Sequence, residues 1–90
     1  MTVKRVDSVV YEVVEDRAVL LHPTGKELLT LSVVGSMVWE ELAKESDPHA
    51  IAAALLPRFV DVSLEQLEAD VSAFLSELVE AGLVVPVDVE

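Results

Sequence analysis

The stretch Lys26-Glu27-Leu28-Leu29-Thr30-Leu31-Ser32-Val33-Val34-Gly35-Ser36-Met37-Val38-Trp39 decides the fold, because the hydrophobic period changes inside it. Up to Leu31 the chain reads as short apolar runs separated by turn residues, the pattern of strands. After Ser32 the apolar positions Val34, Met37, Val38 and Leu42 recur at helical spacing, with Trp39 beside the stripe. Ser32 is a good N-cap, so the spacing predicts a helix over 33–44. Gly35 lowers helix propensity there by about 1 kcal/mol relative to Ala and leaves room for close packing.

Towards the N-terminus, Val9-Val10-Tyr11-Glu12-Val13-Val14 reads as a strand and Glu15-Asp16-Arg17 as a polar turn. Residues 18–22 read as a second strand. Pro23-Thr24-Gly25 is a turn signal, and residues 26–31 form a third strand. Turns this short between consecutive strands imply an antiparallel meander.

Towards the C-terminus, Asp47-Pro48 offers an N-cap followed by a first-turn proline, and an Ala-rich helix follows over 50–56. Pro57 is placed to shorten or kink it. Phe59 and Val60 pack under the next loop. Ser63-Leu64-Glu65-Gln66 is a capping box for a third helix running to about Ala81, with Leu64, Leu67, Val71, Phe74, Leu75 and Leu78 as its apolar stripe. Gly82 suits a left-handed C-cap. Leu83-Val84-Val85 either packs back or adds a short strand, ended by Pro86. The expected architecture is α+β and winged-helix-like: an N-terminal three-stranded antiparallel sheet followed by three helices, in one domain over 1–90.

Composition narrows the function. The net charge is -11, with 17 acidic and 6 basic residues, so a phosphate backbone or an anionic membrane surface would repel the chain. The third helix, which would enter the major groove of DNA in a winged-helix regulator, carries no Lys or Arg. With no cysteine, thiolate metal sites, disulfides and cysteine nucleophiles are excluded. His22 and His49 lack ligand spacing, and neither metal nor other cofactor is expected. Adjacent acids such as Glu40-Glu41 do not face each other on a helix, no serine has a base and orienter beside it, and no glycine-rich phosphate loop is present. These absences point away from an enzyme and towards a binding module. A secretory signal and a membrane-length apolar run are both missing, which makes the cytoplasm the expected compartment.

The order of several segments carries a family resemblance: Leu29-Thr30-Leu31-Ser32 running into Val38-Trp39-Glu40-Glu41-Leu42, then Ala50-Ile51, Asp61-Val62-Ser63 before Asp70-Val71, and Phe74-Leu75 with residues 78–83. In this the chain resembles the PqqD-like recognition elements that bind leader peptides of ribosomally made, modified natural products. The Thr24-Gly25-Lys26 turn, the Leu28-Leu29-Thr30-Leu31 strand and the Val34-Gly35 helix start are most similar to the stand-alone proteins of lasso-peptide gene clusters. Ser32 stands where many relatives have Asn, and Lys44-Glu45-Ser46-Asp47 where many have a Gly after the first helix. The resemblance implies a partner set: the leader region of a precursor peptide, a cysteine-type leader peptidase and, directly or indirectly, a lasso cyclase.

It also implies a site. The leader would add as a strand along Glu27, Leu28, Leu29, Thr30 and Leu31, beside the third helix, using the unpaired amides and carbonyls of an open strand edge. On the helix, Asp70, Ala73, Phe74 and Glu77 share one face by their spacing. Each has a plainer reading. The strand edge is also what any outer strand offers, Phe74 equally suits the core, and Asp70 and Glu77 equally suit a solvated face. Trp39 reads better as core than as a ligand platform. A winged-helix DNA regulator and a general protein–protein adaptor are the alternative functions.

Overall fold

The computed structural model describes residues 2–22, 24–25 and 28–87. Its elements run β1 (Val3–Arg5), β2 (Val10–Val14), β3 (Arg17–Leu21), β4 (Leu28–Thr30), α1 (Val33–Glu41), α2 (Pro48–Leu55), a 3-10 turn (Leu56–Arg58), α3 (Leu64–Glu80) and β5 (Val84–Pro86). The expected meander is present as an antiparallel sheet in the order β2-β3-β4, and three helices follow it. Val14 pairs with Arg17, so Glu15 and Asp16 alone form the first hairpin turn. Both have positive φ, 50° and 68°, as a two-residue turn matched to the strand twist requires. Arg17 therefore belongs to β3 rather than to the turn.

A second sheet is the main addition to the expected fold. β1 pairs antiparallel with β5, with Val3 opposite Pro86 and Arg5 opposite Val84. The Val6 amide extends the join by donating to the Leu83 carbonyl at 3.0 Å. The two ends of the described chain thereby close against each other, and Val3, Leu83 and Val84 enter the core.

Local chemistry sets the helix boundaries. Ser32, Asp47 and Ser63 each accept a hydrogen bond from the amide three residues on, those of Gly35, Ala50 and Gln66. α1 stops at Glu41, short of the expected Lys44, because the Ala43 and Lys44 amides turn to the carbonyls of Glu40 and Glu41. Pro57 falls in the 3-10 turn, where its missing amide costs little, and α2 ends before it. Gly82 ends α3 with φ 78°.

The core lies between the inner face of the sheet and the helices. Ala18 and Leu20 of β3 meet Val38 and Trp39 of α1, Ile51 and Leu55 of α2, and Leu67, Val71, Leu75 and Leu78 of α3. Each Leu-sized side chain buried in this way is worth about 1.5–3 kcal/mol. Ser36 is the buried polar residue among them. Its hydroxyl donates to the Ser32 carbonyl and accepts from the Ala18 amide, both at 2.7 Å, and so pins α1 to β3.

Candidate peptide-binding groove

β4 is an outer strand, and no other strand among the described residues pairs with its second edge. The orientation of its amides follows from one bond. Leu31 donates its N–H to the Ala18 carbonyl at 2.9 Å, and amides alternate sides along a strand. The Leu29 amide therefore also points to β3, where Leu29 lies opposite Leu20. The amides of Leu28 and Thr30 point away from the sheet, towards whatever approaches the edge.

Side chains alternate in the other direction. Leu29 lies on the inner face with Leu20, while Leu28 and Thr30 lie on the outer face with Leu21 and Val19. Inner-face residues of a sheet are normally covered, yet Leu29 is 42% exposed. The space beside it is a depression of about 360 Å³ floored by Leu20 and bounded by His22, Ala81 and Leu83. Gly82 lies close by, such that a Cβ placed there would stand 2.9 Å from His22 Nε2. The His22 ring is oriented locally, its Nδ1 accepting from the Thr24 amide at 3.1 Å.

A second depression, of about 120 Å³, opens further along. Ser32, Val34 and Gly35 form one side of it, and Leu67, Asp70 and Phe74 of α3 the other. β4 leads from the first depression towards the second, and α3 leads back. These two depressions, one beside the β4 edge and one between α1 and α3, together make up the candidate groove. Its lining is largely apolar, which suits a ligand held by side-chain burial together with main-chain hydrogen bonds.

Of the nine sequence-predicted residues, four line the two depressions. Leu28 and Leu29 line the first depression, Asp70 and Phe74 the second, and Ala73 and Glu77 are exposed on α3. Thr30 is exposed at the edge. Glu27 lies outside the described residues. Leu31 is 4% exposed, with its side chain in the core and its amide donating to the Ala18 carbonyl. Phe74 is half-buried, part core and part groove wall. Trp39 is core, 1% exposed.

Sequence reading missed His22, Ala81 and Leu83 at one end, and Val34, Gly35 and Leu67 at the other. The signal for Ala81 was present, since it continues the Asp70, Phe74, Glu77 spacing by four residues. Nothing local marked His22 or Leu83, which arrive through the hairpin and the β5 return. Among the described residues no three His, Cys, Asp or Glu side chains gather as a metal site, and no helix is long and apolar enough to cross a membrane.

Comparison with known proteins bears on this arrangement. The chain is similar to the solved structure of TbiB1 in complex with the TbiA(beta) leader peptide, with TM-score 0.84, 29% identity, and coverage of 96% of this chain and 99% of that one. It is similar in fold to lasso peptide synthetase B1 complexed with the leader peptide, with TM-score 0.81, 20% identity, and coverage of 96% and 100%. Curated protein sequences give no match. Residues 17–84 match the family model of coenzyme PQQ synthesis protein D, a span that takes in β3, the β4 edge and the whole of α3. With more than half its length matched, the chain belongs to the PqqD family.

Proposed function

We propose that this protein is a recognition module that binds the leader peptide of a ribosomally made precursor of lasso type and presents it to a cysteine-type leader peptidase and a cyclase. The observation that carries the reading is the outward pair of amides at Leu28 and Thr30, beside the depression that Leu29, Ala81 and Leu83 line. A leader segment adding there gains main-chain hydrogen bonds from β4 and buries alternate side chains against Leu29 and Phe74. Support comes from the two similar folds, both solved with leader peptides. The module itself supplies no chemistry. By holding the leader it raises the effective concentration of the core peptide at the enzymes that act on it.

Apolar burial carries most of the affinity in this account. Micromolar binding needs about −8 kcal/mol. Exposed ion pairs give about 0–1 kcal/mol each, against about 1.5–3 for a buried Leu-sized anchor. Anisotropy titration of a labelled lasso-precursor leader peptide tests the proposal. Saturable binding is expected that survives about 0.5 M salt with less than about tenfold loss, because exposed charge pairs are screened there and buried anchors are not. A scrambled leader and a mixed-sequence DNA duplex should not bind. Equal binding of the scrambled peptide would make the chain a general adaptor, and binding of the duplex would favour a DNA regulator.

A further inference from the structure

We propose that the free edge of β2 is a second docking site, one that takes a basic, extended segment of a partner protein by strand addition. The sheet order β2-β3-β4 leaves β2 with one edge that no strand among the described residues pairs with. The direction of its main-chain groups follows from β3. The Ala18 carbonyl accepts from the Leu31 amide, so Ala18 faces β4 and its neighbour Val19 faces β2. Glu12 lies opposite Val19 and directs its N–H and C=O to β3. Tyr11 and Val13, on either side of it, direct theirs outward. The strand carries neither proline nor lysine, residues that commonly block such an edge.

Side chains on both faces of the edge are open to an incoming strand. Val13 lies on the inner face, opposite Ala18, yet it is exposed. It lines a depression of about 610 Å³ together with Val33 and Met37 of α1. In an added strand, the residue paired with Val13 has its side chain on this same face, beside that apolar lining. On the outer face Val10 and Val14 are exposed on either side of Glu12. An added strand meets an apolar–acidic–apolar row there.

Charge selects the occupant. Residues 7–16 include Asp7, Glu12, Glu15 and Asp16 and no Lys or Arg. In the depression the acids Asp16, Glu40 and Glu41 outnumber the bases Lys44 and Arg58. Opposite charges on directly opposed residues favour strand pairing, and like charges oppose it. A second copy of this chain is therefore disfavoured, because antiparallel self-pairing about Glu12 sets Glu12 against Glu12. A segment with Lys or Arg opposite Glu12, and apolar residues two positions to either side, is complementary. β4 is different: Leu28, Leu29 and Thr30 carry no charge. The two edges lie on opposite sides of one sheet, so a peptide on β4 and a partner on β2 use different main-chain groups and can be held together. The β2 edge stands on its own geometry, whatever β4 binds.

The probe is an acetylated, amidated peptide, Lys-Val-Ile-Lys-Thr-Val-Lys, titrated into the native chain at low salt and followed in ¹⁵N–¹H spectra. The Tyr11 and Val13 amide signals should shift saturably while that of Thr30 stays in place. The same peptide with Glu for each Lys should bind about tenfold more weakly or less. Raising salt to about 0.5 M should weaken the basic peptide about tenfold or more, because its charge pairs are exposed. Glu12→Lys, a change at an exposed position, should weaken the basic peptide about fivefold or more and strengthen the acidic one. Val13→Pro removes an outward N–H, so the chain should fold, as circular dichroism melts will show, and the Tyr11 response should vanish. Unmoved Tyr11 and Val13 signals in the native chain overturn the proposal, as does an equal response to the acidic peptide. A shift at Thr30 instead would place the peptide on β4, and line broadening that grows with protein concentration alone would give the edge to a second copy; either result overturns it. So does a Val13→Pro chain that unfolds, since its amide is then bonded within the sheet.

Discussion

Phe74 of α3 covers Gly35 of α1 so closely that a Cβ on Gly35 would stand 2.9 Å from the ring's Cζ and 3.0 Å from its Cε1. Both residues line the second depression of the groove. The glycine makes room for the ring against α1, and the ring in turn lines the second depression.

Gly35→Ala should therefore affect binding more than folding. The methyl group gains about 1 kcal/mol in helix propensity, while overpacking costs about 1–3. The half-buried ring has to give way, and the depression that it lines changes shape with it. Thermal melts should show a change of a few degrees, while leader affinity falls about tenfold, equivalent to about 1.4 kcal/mol. An unchanged affinity would place Phe74 outside the site.

Gly82 behaves differently. Its φ of 78° is unfavourable for any residue with a Cβ, and that Cβ would also meet His22 Nε2 at 2.9 Å. Gly82→Ala should cost about 1–2 kcal/mol from conformation alone, with the contact adding to it. Adding His22→Ala should recover only the contact part. A double-mutant cycle read by denaturant melts measures the split, and full recovery would show that the backbone conformation is relaxed in the variant.

His49 of α2 and Glu68 of α3 pair at 2.7 Å on the surface. The Glu68 hydrogen bond and charge, with a smaller contribution from Asp47, hold His49 above the ordinary histidine range. The charged form is thus favoured by folding. Its stabilisation is fully present below the unfolded pKa of about 6.5 and is lost as pH rises through the higher folded value. Because the pair is exposed, the effect is small. Glu68→Gln should lower the melting temperature slightly near pH 5.5 and leave it unchanged near pH 9, and NMR should show His49 titrating lower in the variant. A difference that grows with pH would contradict the assignment.

Much of the fold was legible because periodicity and caps agreed. The stripe Leu67, Val71, Leu75 and Leu78 is buried as its spacing predicts, and Ser32, Asp47 and Ser63 cap as their positions predict. β1 was not legible. Three residues carry too little pattern, and their partner lies at the other end of the chain. The groove was half legible. Asp70 and Phe74 follow from helical spacing, and Leu28 and Leu29 from the family resemblance. His22, Leu83 and Gly35 required the tertiary path, and the burial of Leu31 was not legible because the last apolar residue of a strand looks the same whether it faces a groove or a core.

The open β4 edge is tested most directly by two neighbouring prolines. Because the Leu31 amide bonds to Ala18, the Leu29 amide points into the sheet and the Thr30 amide points out. Proline removes an N–H and is tolerated where that N–H faces away from the neighbouring strand. Leu29→Pro should therefore badly destabilise the chain. Thr30→Pro should keep most of its thermal stability but lose leader binding, since the outward hydrogen bond is gone and the ring obstructs the incoming strand. Circular dichroism melts and labelled-leader titration on the two variants give the answer. A folded Thr30→Pro protein that binds leader at native strength would contradict strand addition at this edge.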